Sequence, residues 1–451
     1  MRRFAFVLGC LALAGCVTQD LPYRDQPTVC ERKPSSGPEQ ACPEAISWTT
    51  PLSDKDGRSR ANVDLHVVEL TEQGQFWDLR YLKPVLDRIQ SRGDKQDIVL
   101  FIHGWHHDAR ASDEVLQDFH HRLVELGERN ESRKTTGIYV GWRGETWTIP
   151  RVNDLTFWAR KNVSVEVGRG ALSELLLALR EQVRGKDSRL IAVGHSFGAS
   201  VLFSATKNDV IRELMQEARD GMVNPDKVDQ MIVLVNPAIE ATPFLPLRDL
   251  TESLPWYLRQ DDQRTTLKGG LAPEQAARAL YDRPRRPLLA VFSSEGDWAT
   301  RFTFPVGRFF STIFERHESG LKRVNRRGVI ERYSEWNLDR DALGNHLPFV
   351  THRLSSAGGR VPEVCDAVGN RLGNLITSGG EAGRWGEGWV ATFGQSQTTL
   401  KHLENSSAFS PVWVTAVDPE LIKDHSSIWD ARFSCFLEEL VLLDPQPQSP
   451  P

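Results

Sequence analysis

Short apolar runs recur along the chain and alternate with stretches in which apolar residues repeat every three or four positions. Most of the runs are apolar at consecutive positions, which is typical of strands covered on both faces of a sheet. The first run, residues 62–70, alternates only in part. The predicted strands cover residues 62–70, 97–102, 136–144, 190–193, 229–238, 287–293 and 411–418.

The stretches between these strands carry the helical repeat. Predicted helices follow the strand at 97–102, cover residues 172–183, begin near residue 199 and close the chain around residues 433–441. Strands and helices that alternate in this way require crossover connections between parallel strands. The pattern therefore predicts an α/β fold built on a doubly wound, mostly parallel sheet.

Residues 189–200 combine a buried strand, a sharp turn and the start of a helix. Ser196 lies on the turn, and Gly194 and Gly198 flank it in the pattern G-x-S-x-G. A serine at such a turn takes a strained backbone conformation that exposes its Oγ above the sheet. A glycine-rich turn without chemistry is the alternative. With its flanking strand and helix, the stretch resembles the nucleophile elbow of the α/β-hydrolase superfamily.

The resemblance implies an acid and a histidine after the serine, in that order. Asp297 follows the predicted strand at 287–293, and His425 lies between the strand at 411–418 and the closing helix. We therefore expect Ser196, Asp297 and His425 to form a catalytic triad. Alternatives remain open for the acid and the base: Glu295 or Asp418 for the acid, and His346 or His352 for the base.

The pair His103-Gly104 ends the strand at 97–102. In α/β-hydrolases such a pair turns the chain toward the nucleophile, which implies that the backbone N–H groups of Trp105 and Phe197 form an oxyanion hole. His103 also belongs to a polar cluster that permits a metal-site interpretation, although its spacing fits no familiar ligand pattern. That cluster consists of His103, His106, His107 and Asp108. A serine triad needs neither a metal nor another cofactor, so we expect none.

The resemblance covers the strands from residue 62 to residue 443 and predicts one hydrolase domain at residues 45–443. Hydrolases of this kind often carry a cap, and residues 239–286 are its predicted location. Residues 301–410 form a predicted insertion before the last strand, without a periodicity that indicates its structure. Residues 444–451 are expected to be a flexible tail.

The first residues pair a positive start, Met1-Arg2-Arg3, with a short apolar run that ends in Leu13-Ala14-Gly15-Cys16. This resembles a bacterial lipoprotein signal, which implies cleavage after residue 15 and a lipid on Cys16. Val17 stands where an aspartate marks inner-membrane retention, so outer-membrane placement in a Gram-negative cell envelope is expected. An ordinary signal peptide with an incidental cysteine is the alternative. Residues 16–44, rich in Pro, Ser and charge, are predicted to form a lipidated tether.

Six cysteines fit this export prediction. Cys10 leaves with the signal and Cys16 carries lipid, which leaves Cys30, Cys42, Cys365 and Cys435. An even remainder in an exported protein predicts two disulfides, most simply Cys30 with Cys42 and Cys365 with Cys435. Four cysteines permit three pairings.

The overall charge argues against one class of function, nucleic-acid binding. A formal net charge of −5 and a pI near 6.2 provide no basic footprint, which argues against a nucleic-acid partner. The expected function is hydrolysis of small-molecule or lipid acyl esters through an acyl-enzyme. The same parts serve thioesterases, peptidases and acyltransferases, and a lipid-anchored scaffold with this fold but no turnover is the alternative from another class.

Overall fold

A computed structural model of the chain describes the following residues: 21–31, 42, 44–53, 62–130, 132–144, 157–220, 229–253, 284–312, 314–325, 328–360, 365–378 and 388–445. Thirteen strands of these residues form one sheet, in the order β1-β2-β3-β5-β4-β6-β7-β8-β15-β11-β14-β13-β12. The run from β3 to β11 is parallel throughout. The predicted mixed α/β class with a mostly parallel sheet is therefore confirmed.

The strands have the following bounds: β1 Gln26–Glu31, β2 Ala45–Thr50, β3 Val63–Glu69, β4 Gln96–Ile102, β5 Lys134–Gly141, β6 Arg189–His195, β7 Gln230–Val235, β8 Leu289–Ser294, β9 Ser319–Val324, β10 Ile330–Ser334, β11 His352–Ser356, β12 Ile376–Ser378, β13 Val390–Phe393, β14 Thr398–His402 and β15 Val412–Val417. Each of the seven predicted strands corresponds to one of these, with ends that shift by a few residues.

The α-helices of the described residues are α1 Leu82–Ser91, α2 Glu114–Arg129, α3 Phe157–Arg169, α4 Ala171–Val183, α5 Phe197–Asp220, α6 Leu245–Arg248, α7 Phe304–Ser311, α8 Glu335–Arg340, α9 Leu372–Leu375 and α10 Ala431–Val441. Asp113 caps α2 by accepting from the N–H groups of Val115 and Leu116. Asp430 caps α10 in the same way. None of the described helices is long and apolar enough to cross a membrane.

Helices cover both faces of the sheet and close two apolar cores. In β4, Leu100 and Ile102 belong to one core, with α1, α4 and α5. Phe101 points into the other core, with α2 and α10. Because successive side chains of a strand alternate between faces, a strand buried on both sides must be apolar at every position. This explains why the central strands could be predicted from continuous apolar runs in the sequence.

The predicted tether at residues 16–44 is corrected where the structure describes it. Gln26–Glu31 is a strand that pairs in parallel with β2, so this segment belongs to the domain. Arg24 is buried, donates to the carbonyls of Ala109 and Ala45, and lies 4.2 Å from the centre of the Trp48 ring. Composition alone misassigned the segment because its partners come from distant parts of the chain.

The predicted insertion at residues 301–410 extends the sheet rather than standing apart from it. β11 lies beside β15 in parallel, and β14, β13 and β12 follow as antiparallel neighbours. β9 and β10 form a separate hairpin. Of the predicted cap, the structure describes residues 239–253 and 284–286; the remainder lies outside the described residues, as do the signal peptide and the end of the tail.

Both predicted disulfides are confirmed. Cys30 is bonded to Cys42, and Cys365 to Cys435. The second bond spans 70 residues of sequence and ties the inserted strands to α10, the last helix. It therefore links the extension of the sheet to the segment that follows His425.

Candidate active site

Ser196 lies at the turn between β6 and α5, at the carboxyl end of the parallel sheet. Its backbone φ is +55°, a conformation that non-glycine residues rarely adopt. A Cβ at Gly194 would lie 2.6 Å from the Gly198 carbonyl oxygen, and a Cβ at Gly198 would overlap the Ile102 carbonyl. Only glycines permit this close approach, so the local sequence produces the sharp elbow that presents Ser196 Oγ.

Three predicted residues from distant parts of the chain meet at this elbow. His425 Nε2 lies 2.7 Å from Ser196 Oγ, and His425 Nδ1 lies 2.8 Å from Asp297 Oδ2. A carboxylate only accepts hydrogen bonds, so Nδ1 carries the proton in the neutral imidazole and Nε2 accepts from the serine hydroxyl. The contacts run from hydroxyl to imidazole to carboxylate, which is the geometry that nucleophilic catalysis by a serine requires.

Asp297 is buried and has a second partner besides His425. Burial on its own raises a carboxyl pKa, but the hydrogen bond and charge of His425 together with the bonds from Thr300 lower the pKa of Asp297 below its ordinary value. Thr300 donates through its hydroxyl (2.7 Å) and its backbone N–H (3.2 Å). Asn345 in turn donates to the Thr300 hydroxyl at 3.1 Å. Asp297 is thus held as a carboxylate.

Two further residues fix the loop that carries His425. His195 Nε2 donates to the His425 carbonyl at 2.8 Å. Burial lowers the pKa of His195 to about 3, so the ring is neutral at physiological pH and its Nε2 carries the proton. Asn236, with φ of +45°, donates its amide N–H to the Asp424 and His425 carbonyls and accepts from the backbone N–H of Ser294. These bonds set the position of the imidazole relative to β7 and β8.

Both predicted oxyanion donors lie beside the serine. Phe197 directly follows Ser196 and begins α5. Gly104 lies so close to Ser196 that a Cβ there would be 3.0 Å from Ser196 Cβ. Trp105 follows it and lines the same cavity as Ser196. The turn that carries Ser196 and the turn after β4 therefore lie side by side at the same cavity.

A cavity of about 660 Å³ opens above Ser196. Polar side chains from the turn after β4 form one wall, and residues from the start of α7 and the segment before it form the other. The cavity is lined by Trp105, His106, His107, Asp108, Arg110, Ser112, Asp113, Glu114, His195, Ser196, Ala238, Ala299, Thr300, Thr303, Phe304, His425 and Ser426. Its volume suits a small-molecule substrate.

The alternative acids have other partners. Glu295 pairs with Arg353 (2.8 Å), and Asp418 accepts from the backbone N–H of Glu420.

The alternative bases are also engaged elsewhere. His346 pairs with Asp341 at 2.8 Å, and His352 Nδ1 lies 2.8 Å from the Thr351 hydroxyl in a buried cluster. The imidazole that accepts the hydrogen bond of the Ser196 hydroxyl is that of His425.

The histidines after β4 are tied into the local fold. His103 accepts from the backbone N–H of Trp142, and His107 pairs with Asp113. Across the described ranges, the single group with the proximity that a metal ion requires is Glu315, His317 and Asp339, whose ligand atoms lie within 4.8 Å of one another. Asp339 already pairs with Arg308 at 2.6 Å. This group does not include a triad residue.

Sequence reasoning missed the residues that support the triad. Thr300 carried only a partial signal. An aspartate just before a helix often caps it by accepting a backbone N–H, but that pattern does not predict the bond from the Thr300 hydroxyl. His195 stands two residues after the predicted strand at 190–193, and Asn236 lies within the predicted strand at 229–238. Their partners near His425 are 230 and 189 residues away in sequence. Asn345 falls in a segment without any readable pattern. Cys16 lies outside the described residues, so its lipidation stays a prediction.

Arrays of this kind are identified by geometry and roles, because the same constellation recurs on unrelated folds. No protein-family model, curated protein or solved structure matches the chain.

Proposed function

We propose that the protein is a serine hydrolase of the α/β-hydrolase type that cleaves carboxylic esters through an acyl-enzyme. The observation that carries this proposal is the chain Ser196–His425–Asp297, with its two contacts of 2.7 and 2.8 Å. The cavity above Ser196 and the serine, acid, histidine order support it.

In the proposed reaction, His425 Nε2 takes the proton of Ser196 as Oγ attacks the acyl carbonyl. Asp297 stabilises the imidazolium that forms. The lowered pKa of Asp297 keeps its carboxylate charged. Backbone N–H groups of Trp105 and Phe197 hold the oxyanion of the tetrahedral intermediate. His425 then protonates the departing alcohol, and water, deprotonated by the same imidazole, releases the acid and regenerates Ser196.

The first test is covalent labelling with a fluorophosphonate, which reacts with an activated serine. We expect the protein to be labelled, and Ser196→Ala to abolish the labelling. His425→Ala should slow labelling and ester turnover by at least about a thousandfold, since the general base is lost. His346→Ala is the matched control, because His346 also pairs with an aspartate but does not contact Ser196. An unlabelled, folded wild-type protein would contradict the proposal.

We also propose that the chain is anchored to the outer membrane by a lipid on Cys16. The apolar run at 4–15 and the sequence Leu13-Ala14-Gly15-Cys16 support this proposal. Cys16→Ser should remove the lipid and release the protein from the membrane fraction of cells. Metabolic labelling with a palmitate analogue provides the readout, and equal incorporation in both proteins would disprove the assignment.

A further inference from the structure

An apolar stripe lies exposed at the rim of the cavity. Trp298, Phe302 and Val306 are 66%, 50% and 56% exposed, respectively. The Trp298 and Phe302 rings stack with centres 4.2 Å apart, and Val306 follows one turn later. Phe304, on the other side of α7, is buried. The segment therefore presents one apolar face to the core and a second one to the outside.

The position of this stripe connects it to the proposed active site. Trp298 directly follows Asp297, and Ala299, Thr300 and Thr303 from the same segment line the cavity. The stripe thus lies at the carboxyl edge of the sheet, beside the opening to Ser196. Contiguous exposed apolar side chains of this size mark surfaces that meet a partner or a membrane.

The N-terminal end of the described chain lies at the same edge. Arg143, just beyond the carboxyl end of β5, donates to the Leu21 carbonyl, and its guanidinium lies 4.0 Å from the centre of the Tyr23 ring. Arg110, which lines the cavity, donates to the Tyr23 hydroxyl. β5 and β8 are separated by β4, β6 and β7, a distance of roughly 19 Å at about 4.8 Å per strand.

The chain between this edge and the proposed lipid is short. Cys16 precedes Leu21 by five residues, which span at most about 17 Å when fully extended. A lipid on Cys16 therefore holds the carboxyl edge of the sheet within about that distance of the bilayer surface. With the opposite edge on the membrane, Leu21 would lie about 23 Å from it, the length of a seven-residue strand such as β4 at about 3.3 Å per residue. That distance exceeds the reach of the segment between Cys16 and Leu21.

We infer that the carboxyl edge of the sheet docks on the lipid surface, with Trp298, Phe302 and Val306 inserted among the headgroups. The inference rests on the proposed lipid at Cys16 for orientation, and on the stripe for the second contact. Tryptophan and phenylalanine suit this region, because they bury apolar area at the boundary between headgroups and acyl chains. The opening to Ser196 then faces ester lipids within the bilayer.

The experiment places a fluorescent reporter on the stripe of the lipidated protein. Phe302→Cys and Val306→Cys provide single thiols for the environment-sensitive dye NBD. Leu177→Cys and Met215→Cys are matched controls, because these residues are 55% and 52% exposed on α4 and α5, away from this edge. In phosphatidylcholine vesicles with spin-labelled headgroups, we expect quenching at 302 and 306 to exceed that at the controls by at least about twofold.

The outcomes separate this inference from the other proposals. Equal quenching at all four positions in vesicle-bound protein overturns the docking and leaves the anchor intact. A blue shift at 302 that grows with protein concentration, without lipid quenching, also overturns it and assigns the stripe to contacts between two copies. Should the chain fail to attach through Cys16, the labelled protein is mixed with the same vesicles: selective quenching at 302 supports the stripe, and its absence refutes it. Fluorophosphonate labelling is independent of each result.

Discussion

The two histidines at the elbow differ in role because their surroundings differ. His195 is buried and donates to the His425 carbonyl. Burial keeps its ring neutral, so it holds the His425 loop in place through this hydrogen bond. His425 is a quarter exposed and lies between a carboxylate and a hydroxyl, which is the position that the proposed general base requires. Asp297 stays charged because Thr300 and His425 together outweigh the cost of its burial.

Thr300 provides a test of this support. Thr300→Val removes the hydroxyl that donates to Asp297 while keeping the side-chain shape, and we expect kcat/KM to fall by about tenfold to a hundredfold, the equivalent of one hydrogen bond to a charged group. Thr300→Ser retains the hydroxyl and should restore most of the rate. Thr300→Val should also raise the pKa of Asp297, because a donor to the carboxylate is lost. Carboxyl NMR can follow this change. A Val variant with wild-type kinetics would exclude a positioning role.

The elbow depends on how β4, β6 and α5 meet. β4 and β6 are adjacent and in register, with Ile102 opposite Gly194. α5 then starts so close to β4 that the Gly198 position has no room for a side chain. The serine is placed by contact between three elements, and the glycines are the sequence feature that permits it.

Gly198→Ala tests that contact. The added Cβ would overlap the carbonyl oxygens of Ile102 and His103, so β4 and α5 must separate. We expect a loss of about 1–3 kcal/mol in the free energy of unfolding and a lower rate of fluorophosphonate labelling. Gly394→Ala is the control, because nothing lies within 4 Å of its added Cβ. Urea denaturation measures both variants, and equal stability would refute the close approach.

The sheet as a whole buries several histidines in neutral form. Burial lowers the pKa of His66 and His103 to about 4 and that of His195 to about 3, and it lowers the pKa of His352 well below its ordinary value. In the unfolded chain these groups bind protons near pH 6.5. Below that pH the unfolded state therefore holds more protons than the folded state, which destabilises the fold as pH falls.

The expected result is a free energy of unfolding that decreases from pH 6.5 toward pH 4. Each buried histidine contributes about 1.4 kcal/mol per pH unit in this window. His66→Gln should reduce the slope by about that amount, whatever its effect on stability at pH 7. His121→Gln is the control variant, because it removes a histidine from an exposed position. Urea denaturation at a series of pH values gives the slopes, and a flat profile would contradict the argument.

The centre of the fold was predictable, whereas its edges were not. Strands β4, β6, β7, β8 and β15 are apolar at consecutive positions because both faces are covered. This pattern can be recognised without knowing which strands and helices pack against them. β1, β2 and β11–β14 lie toward the edges of the sheet and mix polar with apolar residues, so their patterns do not separate them from loops. Their pairing is decided by other strands, as with β11, which pairs with β14 and β15.

The sequence by itself determined the class of the fold, the order of its central elements and the sharp turn at Ser196. These features are local, because a period or a glycine is visible in the chain, whereas the observed disulfide pairing is one of three that four cysteines permit. Only the tertiary structure decided which acid and histidine meet the serine, since Asp297 and His425 are separated by 128 residues. It also decided that Thr300, Asn345, His195 and Asn236 support them, because hydrogen bonds between distant loops leave no pattern in the order of residues.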